Sequence, residues 1–183
     1  MEQRDTVIKG HVDLNFLTDA MLSATQFAEH NYVAAANGTW KELGIPQPDY
    51  PSTGPNVLQS FDSACPAWAH QIKDMFTWMH HKVVTLNCLT PGCFIPPHRD
   101  ELYRLKQSVL DNNLDVKNLT AVRVNVLLQD KKHGHFLDVN NQTIEHYAKG
   151  DYVYIFPGVL HSVANVGYEN RYTLQVTGYA DLG

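Results

Sequence analysis

The chain has 183 residues, 44% of them hydrophobic and 18% charged, with a formal net charge of -5; this is the profile of an ordinary globular chain, long enough to bury a substantial core as one domain. An acidic balance with no lysine–arginine run gives nucleic acid and anionic membrane surfaces no electrostatic footing. The opening MEQRDTVIKGHVDLNF lacks the unbroken apolar core of a signal peptide, and no segment is long and apolar enough to span a bilayer, so a cytoplasmic location is the expectation.

Residues 1–81 read as mostly helical support. Thr18 can cap a helix whose apolar positions Leu17, Met21, Ala24 and Ala28 recur at helical spacing. Residues 44–54 (GIPQPDYPSTG) make a proline-rich loop. A second helix is expected from Pro66, a favourable first-turn residue, through Ile72, Met75, Phe76 and Met79. After His81 the texture changes to short β-branched and aromatic runs. Strands are expected at Val83–Leu89, Phe94–Pro97, Ala121–Gln129, His135–Val139, Thr143–Tyr147, Tyr152–Phe156, Leu160–Val166 and Arg171–Tyr179. Pro91-Gly92, Asp130–Gly134, Asn140-Asn141, Lys149-Gly150, Pro157-Gly158 and Gly167–Asn170 break them.

So many short strands imply a mainly β fold with N-terminal helices: a double-stranded β-helix (jelly roll, cupin-like), the helices packed on one sheet. A single domain over 1–183 is expected, with 1–81 as support and 82–183 as the jelly-roll core. The core carries an insert at 101–120, polar and punctuated by leucines, half of which can be helical. It is either a lid or a plain surface insertion. Cys65, Cys88 and Cys93 form no CxxC pair and are expected as buried, reduced thiols.

Successive strand side chains point to opposite faces. Val122, Val124, Val126 and Leu128 make one apolar face, and Arg123, Asn125 and Gln129 the other. Tyr172, Leu174 and Val176 oppose Arg171, Thr173, Gln175 and Thr177; Val84, Leu86 and Cys88 oppose Thr85 and Asn87; His161, Val163 and Asn165 share a side. The polar faces hold Asn, Thr, Gln, Arg and His but no Lys or Glu. A solvated sheet face favours long charged chains, so a polar interior that binds something polar is the better reading.

The chemistry concentrates in PPHRD and HSVANVGYENR. Pro96 and Pro97 hold the approach to His98 extended, so His98 and Asp100 point the same way and Arg99 points out. With His161 they supply two imidazoles and one carboxylate, the donor set of a mononuclear non-haem iron(II) site that keeps positions open for substrate and oxygen. Arg171, ten residues beyond His161, adds what iron alone does not need: a planar, always-charged fork for the carboxylate of a co-substrate chelated to the metal. If a hairpin joins the two, Val166–Asn170 provides the odd-length loop that puts both side chains inside. Their backbones then lie about 13 Å apart, a gap that arginine and a five-carbon diacid span together. Asn165 and Gln175 are candidate supports for ligands or substrate. Two alternatives stand: a cupin-type metal enzyme that needs no 2-oxo acid, and a non-enzymatic jelly-roll protein that binds a small ligand.

The stretches NCLTPGCFIPPHRD, VRVNVLL and KGDYVYIFPGVLHSVANVGYENRYTL resemble the iron(II)- and 2-oxoglutarate-dependent dioxygenases, within them the aspartyl/asparaginyl β-hydroxylase-like branch. The resemblance covers roughly the second half of the chain. It implies a hydroxylase that uses Fe(II), 2-oxoglutarate and O2, with His98, Asp100 and His161 as metal ligands and Arg171 gripping the distal carboxylate of 2-oxoglutarate. By the same resemblance Asn87 is a small polar partner of that carboxylate. Arg123 and Asn125 match an Arg-x-His pair near the co-substrate, with Asn125 standing where the branch has His. The implied reaction is hydroxylation of an unactivated C–H bond; the polar interior fits a small polar molecule, amino acid or peptide side chain as its substrate, and the insert 101–120 and the loop 44–57 are the candidate substrate contacts. No nucleic-acid or membrane partner is implied.

Overall fold

A polar layer held between two antiparallel sheets organises this molecule. The computed structural model describes residues 8–30, 41, 44 and 57–182; the expected loop 44–54 therefore lies, apart from Gly44, outside the described residues. In chain order the elements are β1 (Ile8–His11), α1 (Asp19–Ser23), β2 (Ala28–His30), β3 (Val57–Phe61), a 3₁₀ turn (Asp62–Ala64), α2 (Ala67–Met75), β4 (Met79–Leu89) and β5 (Phe94–His98). They continue as α3 (Tyr103–Asp111), β6 (Thr120–Leu127), β7 (His135–Val139), β8 (Gln142–Thr143), β9 (Asp151–Ile155), β10 (His161–Asn165) and β11 (Arg171–Ala180). The larger sheet runs β1-β9-β6-β11-β4-β3-β2 and the smaller β5-β10-β7-β8. The pair is a double-stranded β-helix whose sheets do not close into a barrel.

The alternation read from the sequence decides which way the larger sheet faces. Val84, Leu86, Val122, Val124, Val126, Leu174 and Val176 are fully buried. They share one apolar cluster with Leu14, Leu17 and Leu22 around α1 and with Trp68, Ala69, Ile72 and Phe76 around α2. Each such side chain contributes about 1.5–3 kcal/mol of transfer free energy, which fixes strand register against a one-residue slip. The opposite face carries the polar set in rows across strands: Gln59, Asn87 and Thr173 are successive cross-strand partners, as are Thr85, Gln175 and Asn125. Two smaller apolar clusters bracket this layer, one holding Leu127, Leu137, Val153 and Ile155, the other Val57, Leu89, Cys93 and Ile95. Cys65, Cys88 and Cys93 are free and buried.

Among the described residues, the first 81 hold as much strand as helix: β1, β2, β3 and the start of β4 stand beside the short helices α1 and α2, and Lys41 is also helical. β3 is strand because it pairs along β4, from Val57 opposite Leu89 to Phe61 opposite Thr85; that pairing partner lies far away in sequence. Thr18 does cap α1, its side chain accepting from the Met21 amide, but the helix stops at Ser23 and Ala28 belongs to β2. Pro66 is extended (ψ 157°) and precedes α2 as its cap, and the helix ends at Met75, so that Met79 opens β4. Thr143–Tyr147 pairs only at its first residue, in β8. Asn140 and Asn141, both at positive φ (53° and 62°), form the tight turn into it.

A further difference bears on the site. β10 and β11 are not a hairpin: β10 pairs with β5 and β7 in the smaller sheet, β11 with β4 and β6 in the larger. Residues 166–170 are a corner that carries the chain from one sheet to the other. Gly167 is packed so tightly on the His133 carbonyl there that a Cβ would collide with it. His161 and Arg171 therefore face one another across the sandwich, and neither bulge nor loop parity is needed.

Candidate metal centre

β5 and β10 are antiparallel neighbours in which His98 stands directly opposite His161, bringing the ring centroids to 4.1 Å. Asp100, two residues beyond the end of β5, closes the triangle. Its Oδ1 lies 3.8 Å from His98 Nε2 and its Oδ2 3.3 Å from His161 Nε2, and one ligand atom from each of the three falls within 4.8 Å of the others. Metal–ligand bonds of about 2.1 Å meeting near right angles separate adjacent donors by about 3 Å, so the triangle fits one ion after small adjustments. The imidazoles are also set in the required tautomer. His98 Nδ1 donates to the Pro96 carbonyl at 2.9 Å and His161 Nδ1 to the Val159 carbonyl at 3.0 Å, leaving both Nε2 lone pairs for a cation.

Electrostatics agree with the geometry. Burial, then the neighbouring His161, push the His98 pKa down to about 4, so it is the neutral ligand a metal requires. Burial alone would raise the Asp100 carboxyl. Arg123 and the two imidazoles outweigh it and hold the group well below the usual carboxylate range. Arg123 reaches across from β6 to place Nη1 on Asp100 Oδ2, while its Nε donates to Thr177 Oγ1 at 3.0 Å. The resemblance set Arg123 beside the co-substrate. Its guanidinium sits on a candidate metal ligand, because β6 brings it level with the loop that follows β5.

Arg171 starts β11 on the far side of the polar layer. It is 2% exposed, and its Nε and Nη2 have no hydrogen-bond partner among the described residues. Burial draws its pKa down, and the nearby Tyr147 phenol opposes this only in part. A buried guanidinium with two unsatisfied donors costs free energy unless an anion completes it. It lines a slot of about 20 Å³ together with Asn87, Asn125, His98, His161, Thr173 and Gln175. Asn125 Oδ1 there is also unpartnered, and Asn87 Oδ1 accepts from Gln59 Nε2. A wider chamber of about 250 Å³ opens on the other side of His98, with Asp100, Arg123, Gln59, Thr85, Thr177 and α3 in its walls. His98 and Gln175 line both spaces.

Three features were not read from the sequence. Gln59 sits on β3, an element the pattern did not reveal. Tyr147 was read only as the end of a strand. Helix in half of the insert 101–120 is expected from the sequence, but not that Leu102, at φ 52° in the left-handed region, turns the chain from Asp100 into it. Asn165, considered as a support for ligands or substrate, instead ties the sheet corner together: its amide donates to the carbonyls of Leu89 and Glu169 and its Oδ1 accepts from Gly167 N.

Several solved structures are distantly similar to this chain. A predicted oxalate decarboxylase from Thermotoga maritima is 13% identical, with 85% of this chain and 94% of that one covered at a TM-score of 0.44. A protein from Photorhabdus luminescens is 12% identical over 73% and 86%, TM-score 0.40, and a cupin protein from Bacteroides fragilis 15% identical over 61% and 76%, TM-score 0.38. At these values the likeness says nothing about chemistry. No curated protein sequence matches the chain. No helix among the described residues is long and apolar enough to cross a membrane. With a His–Asp–His triangle whose imidazoles are buried and an orphaned arginine on the same polar layer, the chain also matches the family model of aspartyl/asparaginyl beta-hydroxylase over residues 13–180, and it belongs to that family.

Proposed function

We propose that this protein is an iron(II)- and 2-oxoglutarate-dependent oxygenase that hydroxylates a C–H bond of a small polar molecule or amino-acid side chain, acting as a single domain. The observation that carries this reading is Arg171, a buried cation with two unsatisfied donors on the slot that also touches His98 and His161. A metal site alone leaves such a residue unexplained; a diacid anchored at the metal needs it.

In this reading His98, Asp100 and His161 hold the iron, which when bound supplies oxygen activation coupled to oxidative decarboxylation of the 2-oxo acid. The protein contributes placement and exclusion of water. Arg171 pairs with the distal carboxylate through its two free donors, and Tyr147 steadies the guanidinium. Asn87 and Asn125 flank the same anion, as amide donors that remain neutral. Arg123 serves Asp100 rather than the co-substrate, holding its carboxylate ionised and fixed. The slot as it stands has room for about one water, so the diacid enters with adjustment of the polar side chains around it. The chamber under α3 receives the substrate.

Succinate release from 2-oxoglutarate with iron(II), ascorbate and O2 tests this. Wild-type protein turns over. His98→Ala and Asp100→Ala reduce turnover to background while keeping the fold, and unchanged turnover in both contradicts the assignment.

A further inference from the structure

Resting on that reading, we infer that the substrate is a small molecule of amino-acid size carrying both a free carboxylate and an N–H donor, held by Arg104 and Gln59 in the chamber beside the metal.

Arg104 belongs to α3, the helix of the insert, and lies in the chamber wall. Its guanidinium stacks on the Phe61 ring, 3.5 Å above the centroid, which fixes the plane of a side chain that is otherwise mobile. Its ion pair with Asp62 is loose and solvated: Nη1 is 3.7 Å from Asp62 Oδ2, with the two side chains 52% and 44% exposed. That spacing is beyond a hydrogen bond, so the in-plane donors remain available to a carboxylate. Of the other charges in the chamber wall, Arg123 is on Asp100 and Glu101 is matched by Lys106 at 3.2 Å. Arg99 is a further guanidinium there, but Arg104 is the one that the Phe61 ring orients.

Gln59 supplies the second contact. It is 3% exposed and lines the chamber. Its Nε2 donates to Asn87, which fixes the amide's orientation and leaves Oε1 as a buried acceptor with no partner among the described residues. Buried acceptors without a partner are costly, and an ammonium, imino or amide N–H from a ligand relieves this one. A cation-fork at the rim and an acceptor in the wall thus recognise opposite ends of one acid. The chamber, about 250 Å³, is at the small end of ligand cavities, which favours a single residue-sized molecule over a polymer segment. Val83, Leu102 and Leu105 give it an apolar side for the aliphatic body.

The test uses the twenty free amino acids and their primary amides, each added to full-length protein with iron(II), 2-oxoglutarate, ascorbate and O2. Succinate release above the uncoupled rate is read alongside product mass. At least one acid stimulates release and its amide does so at least tenfold less well. Arg104→Gln raises KM for that acid about tenfold with kcat within about twofold, Arg104→Lys recovers part of the loss, and Gln59→Leu raises KM independently. Amides that stimulate as well as acids, a preference unchanged in Arg104→Gln, or no response to any acid overturns the inference. Thermal stabilisation of the wild type by Mn(II) with 2-oxoglutarate, measured in parallel, tells the two failures apart. If it persists, only the substrate class is wrong; if it is absent, the co-substrate reading falls first.

Discussion

Replacing Arg171 with methionine should make the ligand-free protein more stable and the ligand-binding protein useless. The side chain is 2% exposed, and its Nε and Nη2 are unsatisfied. At about 1–3 kcal/mol for each unpartnered buried donor, the native residue carries about 2–6 kcal/mol of uncompensated desolvation. Methionine fills a similar length without polar atoms; the lost Tyr147 contact and imperfect packing take back about 1–2 kcal/mol. The net gain is about 1–4 kcal/mol, which for a chain of this size raises Tm by about 2–4 °C per kcal/mol. In the wild type, 2-oxoglutarate at about a hundred times its dissociation constant in the presence of Mn(II) adds about 2.7 kcal/mol, and in Arg171→Met that increment disappears. Thermal and urea unfolding with and without Mn(II) and 2-oxoglutarate provide all four values. A variant less stable than wild type by more than about 1 kcal/mol, or one that keeps the 2-oxoglutarate increment, refutes the claim that this arginine is strained in wait for an anion.

Further outcomes follow from the same geometry. Arg123→Leu removes the partner that fixes Asp100, and metal affinity measured by competition with a chelator should fall about 10–100-fold while 2-oxoglutarate affinity at saturating metal changes little. In metal-free protein His98 titrates near 4 when folded and near 6.5 when unfolded. The unfolded chain therefore binds more protons between those values, stability is complete above about pH 6.5, and about 3 kcal/mol is lost as pH falls through about 4. Urea midpoints from pH 7 to 4 should show that loss in the wild type and a smaller one in His98→Gln. Asn165→Ala breaks three hydrogen bonds at the sheet corner and should cost about 2–4 kcal/mol by urea unfolding, with little effect on metal binding by the folded fraction.

Period-two alternation carried most of the architecture because Val84–Cys88 of β4, Val122–Val126 of β6 and Tyr172–Val176 of β11 each bury an apolar face. The same alternation put Asn87, Asn125, Arg171, Thr173 and Gln175 on one side before any contact was known. Local pattern failed where pairing across long sequence separation decides structure. β3 is strand because of β4, and β10 and β11 part company because the corner at 166–170 turns between sheets; a five-residue loop between two strands reads equally as a hairpin. Arg123 shows the limit for site roles. Its place on the polar face was legible, but its partner was Asp100, since side-chain reach across a sheet is not written in spacing. Tyr147 was invisible for a related reason: its influence on Arg171 links a segment outside the strands to the first residue of β11.

The most direct measurement is a crystal structure of the protein soaked with Mn(II) and 2-oxoglutarate, with anomalous scattering to locate the ion. The account predicts one manganese bonded to His98 Nε2, Asp100 and His161 Nε2, and the distal carboxylate of the diacid on Arg171. An ion held elsewhere, or a diacid that leaves Arg171 without a partner, contradicts it.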